Sequence, residues 1–130
     1  MNKINPRPIS PHLTIHKKFQ TAVLSIMHRI TGFGLSLGSA LIVLWVLLIA
    51  MGEEYFDAAY YFCGTIYGKT ILFLWSFGII YHLINGLRYI IWSIGIGMEI
   101  KTIYWSGYLV VILSFCFTIL FWIIALGVTQ

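Results

Sequence analysis

Three long stretches of this chain carry almost nothing that ionises strongly. Ile30 to Gly52 and Thr102 to Gln130 contain no Asp, Glu, Lys, Arg or His, and Thr70 to Leu87 contains His82 alone. About 20 consecutive apolar residues cross a hydrocarbon layer roughly 30 Å thick, so each stretch can span a bilayer. What remains is too small to coat a soluble domain: 9% of the 130 residues are charged, against roughly a quarter in soluble domains. The pattern predicts an all-α membrane protein of three transmembrane helices in up-down-up order. The spans are expected at about 28–51, 60–91 and 103–128, within a helical unit over 21–130 that follows an N-terminal arm over 1–20.

Charge placement suggests an orientation. Lys3, Arg7, Lys17 and Lys18 precede the first span, with Arg29 at its edge. Glu53, Glu54 and Asp57 follow that span, and Arg88 and Lys101 flank the second connection with a single acid, Glu99. Basic residues mark the cytoplasmic side, which puts the N-terminus in the cytoplasm (or on the matrix side) and the C-terminus outside. The net charge of +4 reflects this asymmetry. No basic cluster interleaved with base-stacking aromatics is present, so nucleic acid is not an expected partner; the lipid bilayer is. The first apolar stretch is too long for a signal-peptide core and lacks a small-residue cleavage pattern. The leader lacks the Arg- and Ser-rich character of a transit peptide. A multi-pass protein of the bacterial inner membrane is therefore expected, or of the mitochondrial inner membrane if organelle-encoded.

Pro6, Pro8 and Pro11 bias their preceding residues away from helix, so the arm is expected to be extended and to lie on a partner. A first helix is expected from Thr21 to about Met51, and a second, uninterrupted one from about Phe56 to Trp92. Tyr55, Phe56, Tyr60, Tyr61 and Tyr67 resemble an aromatic belt. Gly95 and Gly97 break the chain before a third helix near Ile103. Cys63 and Cys116 are distant and single, without a disulfide or zinc pattern, and are expected to pack.

Two stripes stand out. Ser25, His28, Arg29, Gly32, Ser36 and Ser39 recur at three- and four-residue steps on the first helix, and Gly78, His82, Asn85, Gly86, Tyr89 and Ser93 on the second. Small residues permit close approach of helices or of a flat ligand. The third helix has no comparable stripe, because Ser106, Ser114 and Thr118 are weak signals, and it is expected to face lipid as a scaffold.

His82 is the residue that most needs a reason to be there. A neutral imidazole is a common iron ligand in electron-transfer haem proteins, and Gly78 and Gly86 leave room for a ring one turn to either side. Arg88 lies about 9 Å along the helix, at the same membrane edge as Arg29, where both could meet porphyrin propionates. Spacing alone leaves two further roles open to His82: a bond to a backbone carbonyl of a neighbouring helix, or a place in a proton path. A bis-imidazole haem needs a second histidine. His12 and His16 fall in the arm and His28 at the interface, above the depth of His82. A second ligand from another chain is the expectation.

The segments Arg7-Pro8-Ile9-Ser10-Pro11-His12-Leu13, Ser25-Ile26-Met27-His28-Arg29-Ile30-Thr31-Gly32 and His82-Leu83-Ile84-Asn85-Gly86-Leu87-Arg88, followed by Trp92, resemble the large, cytochrome b-type membrane anchors of succinate dehydrogenase. With the three-span layout the resemblance covers nearly the whole chain. It implies haem b shared with a second small membrane-anchor subunit, ubiquinone as substrate, and a flavoprotein and an iron–sulfur protein as further partners. By motif, His82 matches the axial ligand of the haem iron, Ser25 and Arg29 the ubiquinone pocket, and His28 and Arg29 the propionate contacts. Three positions depart from the family pattern: Tyr89 where histidine is usual, Ser93 where an acid is common, and His16 where tyrosine is common. The chain has no flavin motif, no cysteine cluster for iron–sulfur and no dicarboxylate site, so it would not be catalytic alone. Rival expectations are the anchor of a fumarate reductase and a haem-free structural or assembly protein. A transporter fits poorly, with too few spans and no pair of broken helices.

Overall fold

The computed structural model describes residues 19–128. Most of the expected N-terminal arm, with Arg7 to Leu13 and His16, lies outside them. Four helices follow in order: α1 (Gln20–Met51), α2 (Glu53–Gly64), α3 (Ile66–Ser93) and α4 (Ile100–Val128). Three are long and apolar enough to cross a membrane: α1, α3 and α4, of 32, 28 and 29 residues. At 1.5 Å per residue these reach about 42–48 Å, more than the hydrocarbon thickness. The all-α, three-span architecture expected from the sequence is present.

The helices end where the local chemistry requires. Gly52, at φ 122°, turns the chain from α1 into α2, a conformation L side chains rarely adopt. Glu53 and Glu54 occupy the first turn of α2, where carboxylates interact favourably with the exposed N–H groups of the helix end. The expected single helix from Phe56 to Trp92, and with it a span starting near 60, requires correction: it is two helices divided at Thr65. The Thr65 hydroxyl donates to the Phe62 carbonyl at 2.6 Å and accepts the Gly68 N–H at 3.2 Å. One side chain thus closes α2 and caps α3. Gly68 is needed beside it, because a Cβ there would collide with the Phe62 carbonyl and the Cys63 backbone. A long aromatic-rich apolar run hides this corner from a periodicity argument. At the far end Gly95 and Gly97, at φ 81° and 77°, make the turn between α3 and α4.

α3 is the central helix. It runs antiparallel to both α1 and α4, which touch each other over a smaller region. The buried apolar core is small, with Leu24, Tyr81 and Val110 at its centre and Phe77, Ile84 and Val111 packed around them. Most large apolar side chains, including Phe33, Leu41, Ile90 and Ile123, point outward. In water such exposure would be costly; in hydrocarbon it is neutral, and helices associate through close packing and hydrogen bonds instead. Gly38 takes the indole of Trp75 against its backbone, and Gly107 takes the side chains of Gln20 and Leu24. The Tyr81 hydroxyl donates to the Leu24 carbonyl at 2.8 Å.

The last helix points most of its large side chains outward, as expected, but the expectation that it lacks a small-residue stripe does not hold. Gly107, Val110, Ser114 and Thr118 are buried in a line at three- and four-residue steps. The hydroxyls of Ser114 and Thr118 donate to Val110 and Ser114 carbonyls within their own helix, each at 2.7 Å. With their polarity satisfied locally, these residues act as small spacers that admit α3. Phe77 meets Phe115 at 4.7 Å, and the Trp122 indole N–H donates to Ser76 Oγ at 2.9 Å.

The α1–α3 contact can be tested by two glycines four residues apart. Gly38→Ala drives a methyl into the Trp75 ring and should destabilise the detergent-solubilised protein by about 1–3 kcal/mol. A Cβ at Gly34 meets nothing within 4 Å, so Gly34→Ala should gain up to about 1 kcal/mol of helix propensity. Thermal unfolding with opposite signs is the expected result.

Candidate functional site

α1 and α3 cross where both are lined by small residues. A Cβ on Gly78 would reach Thr31 at 3.9 Å, one on Gly86 would reach the His28 ring at 3.8 Å, and one on Gly32 would touch His82 Cε1 at 3.0 Å. Two imidazoles occupy the room so made. His82 of α3 and His28 of α1 stack with centroids 3.8 Å apart and planes 8° from parallel. Tyr89 closes on His28 edge-on at 5.1 Å. The sequence puts His28 at the interface, above His82, yet the rings lie at one level. The physical reason is the register of the antiparallel pair, in which Gly32 of α1 meets the His82 ring and Gly86 of α3 approaches His28. That register sets His28 level with His82.

His82 is half-buried and held at one nitrogen. Its Nδ1 lies 3.2 Å from Thr31 Oγ1 and 3.2 Å from the His28 carbonyl oxygen. Among the described residues no hydrogen bond engages its Nε2. His28 Nδ1 is buried with no hydrogen-bond partner. A ring fixed at one nitrogen and open at the other is chemically able to ligate a metal. The bond to a backbone carbonyl, a rival to haem on spacing alone, is also present, but it uses Nδ1 and leaves Nε2 available. Among the described residues no group of three or more His, Cys, Asp or Glu could hold a metal ion, so a non-haem metal cage is not formed here.

Ser25 stands about one turn before His28 on α1, and Arg29 directly follows His28. Ser25 is half-buried and Arg29 exposed. Three- and four-residue spacing gives Ser25, His28 and Arg29 a shared side of α1. Neither Ser25 nor Arg29 enters a side-chain hydrogen bond among the described residues, so both remain free to bind a ligand.

Arg88 departs from the sequence expectation. The residue is 6% exposed, and its guanidinium turns to α4 rather than towards the imidazoles. Nε donates to Ser106 Oγ at 2.9 Å, Nη2 to the Ile103 carbonyl at 2.8 Å, and Nη1 to Asn85 Oδ1 at 3.4 Å. Its Cζ lies 3.9 Å over the Trp92 ring. Neutral oxygens and an aromatic face replace an acidic partner, and the cation staples the end of α3 to the start of α4. Sequence reasoning misses this cluster because Ser106 reads as one weak polar residue until Arg88 is seen beside it. It misses Thr31 too, although the spacing of three from His28 is visible.

Residues 3–121 match the family of succinate dehydrogenase/fumarate reductase transmembrane subunits. The chain is 42% identical over 119 residues to the succinate dehydrogenase cytochrome b556 subunit of Rickettsia bellii, covering 92% of this chain and 93% of that protein. It is 40% identical to the cytochrome b560 subunit of Reclinomonas americana, covering 91% and 85%. It is 36% identical to the human mitochondrial cytochrome b560 subunit, covering 83% and 65%.

The Arg88 staple predicts a specific defect. Arg88→Ala strands Asn85, which is fully buried, and should cost about 1–3 kcal/mol for unmet buried polar groups. Thermal unfolding of the purified protein in detergent measures it; Arg88→Lys, lacking the planar fork, should recover only part.

Proposed function

Because this chain belongs to the succinate dehydrogenase/fumarate reductase transmembrane subunit family, whose members hold the enzyme in the membrane, we propose that it anchors succinate dehydrogenase, holds haem b through His82 and forms part of a ubiquinone site with Ser25 and Arg29. It has no catalytic centre of its own. The observation that carries the haem assignment is the His82 ring, fixed at Nδ1 and open at Nε2 within an apolar helix pair. Bound there, haem iron would supply one-electron exchange.

The chain's own residues divide the work. His82 would hold the haem iron through Nε2. His28 stacks face to face on the His82 ring and would not share that role, so a second histidine, if the haem takes two, would come from the second small anchor. His28 and the exposed Arg29 would be partners for the propionates, Arg29 the more accessible because His28 Nδ1 is buried. Arg88, engaged by α4, would not.

Quinone reduction takes two electrons and two protons, and negative charge develops on the ring oxygens as electrons arrive before protons. The Ser25 hydroxyl can donate to a quinone carbonyl, and Arg29 can stabilise the developing charge. Electrons originate at succinate and reach the quinone through flavin and iron–sulfur centres on partner subunits. The end of the bundle that carries Ser25 and Arg29 also holds Arg88 and Lys101, and the opposite end carries Glu53, Glu54 and Asp57. By the bias of basic residues towards the inside, the quinone end faces the cytoplasm or matrix, where the iron–sulfur subunit would dock. A multi-pass placement in the inner membrane of a bacterium fits this arrangement, with an organelle-encoded mitochondrial protein the alternative source.

Two experiments test the assignment. His82→Ala should remove the reduced-minus-oxidised b-type difference spectrum from membranes containing the assembled enzyme; an unchanged spectrum overturns the ligand role. Ser25→Ala and Arg29→Ala should each lower succinate:quinone activity about tenfold or more. Succinate oxidation by a soluble artificial acceptor should be preserved, and parallel loss of both activities would signify failed assembly instead.

A further inference from the structure

We infer that Thr31 is a positioning residue for the haem ligand: with the His28 carbonyl it holds the Nδ1 proton of His82, and so sets which nitrogen of the imidazole faces iron. The inference rests on the assignment of His82 as the ligand and adds a residue to it.

The argument is one of proton counting. A threonine hydroxyl has one proton and two lone pairs, and a backbone carbonyl has lone pairs only. Thr31 Oγ1 lies 2.9 Å from the Met27 carbonyl oxygen and 3.0 Å from that of His28. The hydroxyl proton could go to either carbonyl or to an unprotonated His82 Nδ1, and the His28 carbonyl decides between them: it can only accept, so its bond to the ring needs the proton on Nδ1. The lone pairs of Oγ1 are then what His82 Nδ1 meets at 3.2 Å. The second group at Nδ1, the His28 carbonyl at 3.2 Å, is likewise an acceptor. An unprotonated Nδ1 could accept the Thr31 proton but would still set its lone pair against those of the His28 carbonyl. Nδ1 therefore carries the proton, shared between both acceptors, and Nε2 carries the free lone pair.

The same contacts fix the ring's plane. Gly32 approaches Cε1 closely enough that a methyl would stand 3.0 Å away, and His28 covers one face at 3.8 Å. The ligand is thus oriented by α1 before any macrocycle enters. A hydrogen bond from Nδ1–H to oxygen raises the basicity of the opposite nitrogen, which favours the ferric over the ferrous ion.

The test uses the assembled multisubunit enzyme in detergent. Thr31→Val removes the acceptor and keeps the shape, Thr31→Ala removes both, and Thr31→Ser keeps the acceptor. In the Val and Ala variants the haem potential should move positive, the highest-g feature of the ferric electron paramagnetic resonance spectrum should shift, and haem retention should fall about 10-fold or more. Thr31→Ser should match the native enzyme in all three. A Val variant indistinguishable from native overturns the inference, as does a series that follows side-chain volume, with Ser grouped beside Ala. Failure of both Val and Ala variants to assemble also counts against it, since a residue needed for folding is not acting on the ligand. His82→Ala run in parallel separates the two levels. A b-type spectrum that survives it removes the ligand assignment itself; one that vanishes there but is unmoved by Thr31→Val removes only the role of Thr31.

Discussion

Hydrocarbon offers no hydrogen bonds, and this single deprivation organises the bundle. Every donor or acceptor carried below the membrane surface has to meet protein, a bound group or its own helix. Ser114 and Thr118 take the third course, returning their hydroxyls to carbonyls one turn back. Tyr81, Trp122 and Ser76 take the first, and their bonds to Leu24 and to each other tie α1 and α4 onto α3. Apolar burial contributes less than in a soluble domain, which is why so small a core suffices and why glycine sits at the contacts between spans.

Arg88 and His82 answer that deprivation in opposite ways. A buried guanidinium is costly unless its donors are met, and Arg88 meets them with three oxygen acceptors and the Trp92 face. Its bonding is complete inside the chain, so it has nothing left to offer a ligand. His82 is satisfied at one nitrogen and unsatisfied at the other. A residue that closes its hydrogen bonds has no donor left for a ligand; one left half-open, beside Gly32, keeps a lone pair to offer. The distinction separates two polar residues that share one segment of α3 and look alike in the sequence.

Much of this is legible in the residues. Three spans follow from charge-free length, and the importance of His82 from its solitude in the second. What escapes is whatever depends on partners distant in the chain. The corner at Thr65 rests on a capping bond three residues wide inside a run whose hydrophobicity never falters. The packing face of α4 consists of residues chosen for smallness, which periodicity in polarity does not register. Sequence gives Arg88 the wrong neighbour because it fixes a position on the helix and not the direction of the side chain. It separates His28 from His82 because the register of two antiparallel helices is not written in either helix alone. Thr31, three residues beyond His28, looks like one more small polar residue until α3 brings an imidazole against it.

The remaining unmet atoms show where the chain stops being self-sufficient. His28 Nδ1, Trp75 Nε1, Asn85 Nδ2 and Gln20 Oε1 are buried without partners among the described residues. Trp75 and His28 border the same α1–α3 groove as His82: Trp75 precedes it by two helical turns on α3, and His28 stacks on it from α1. Unmet donors in lipid cost more than in water, so a groove that keeps them is stable in proportion to what fills it. A second anchor helix and a macrocycle laid along α1 and α3 would cover that line. By mass action, the groove would gain stability from the groups it binds. Assembly and cofactor binding would then be one equilibrium viewed from two sides, with the imidazole of His82 as their common point.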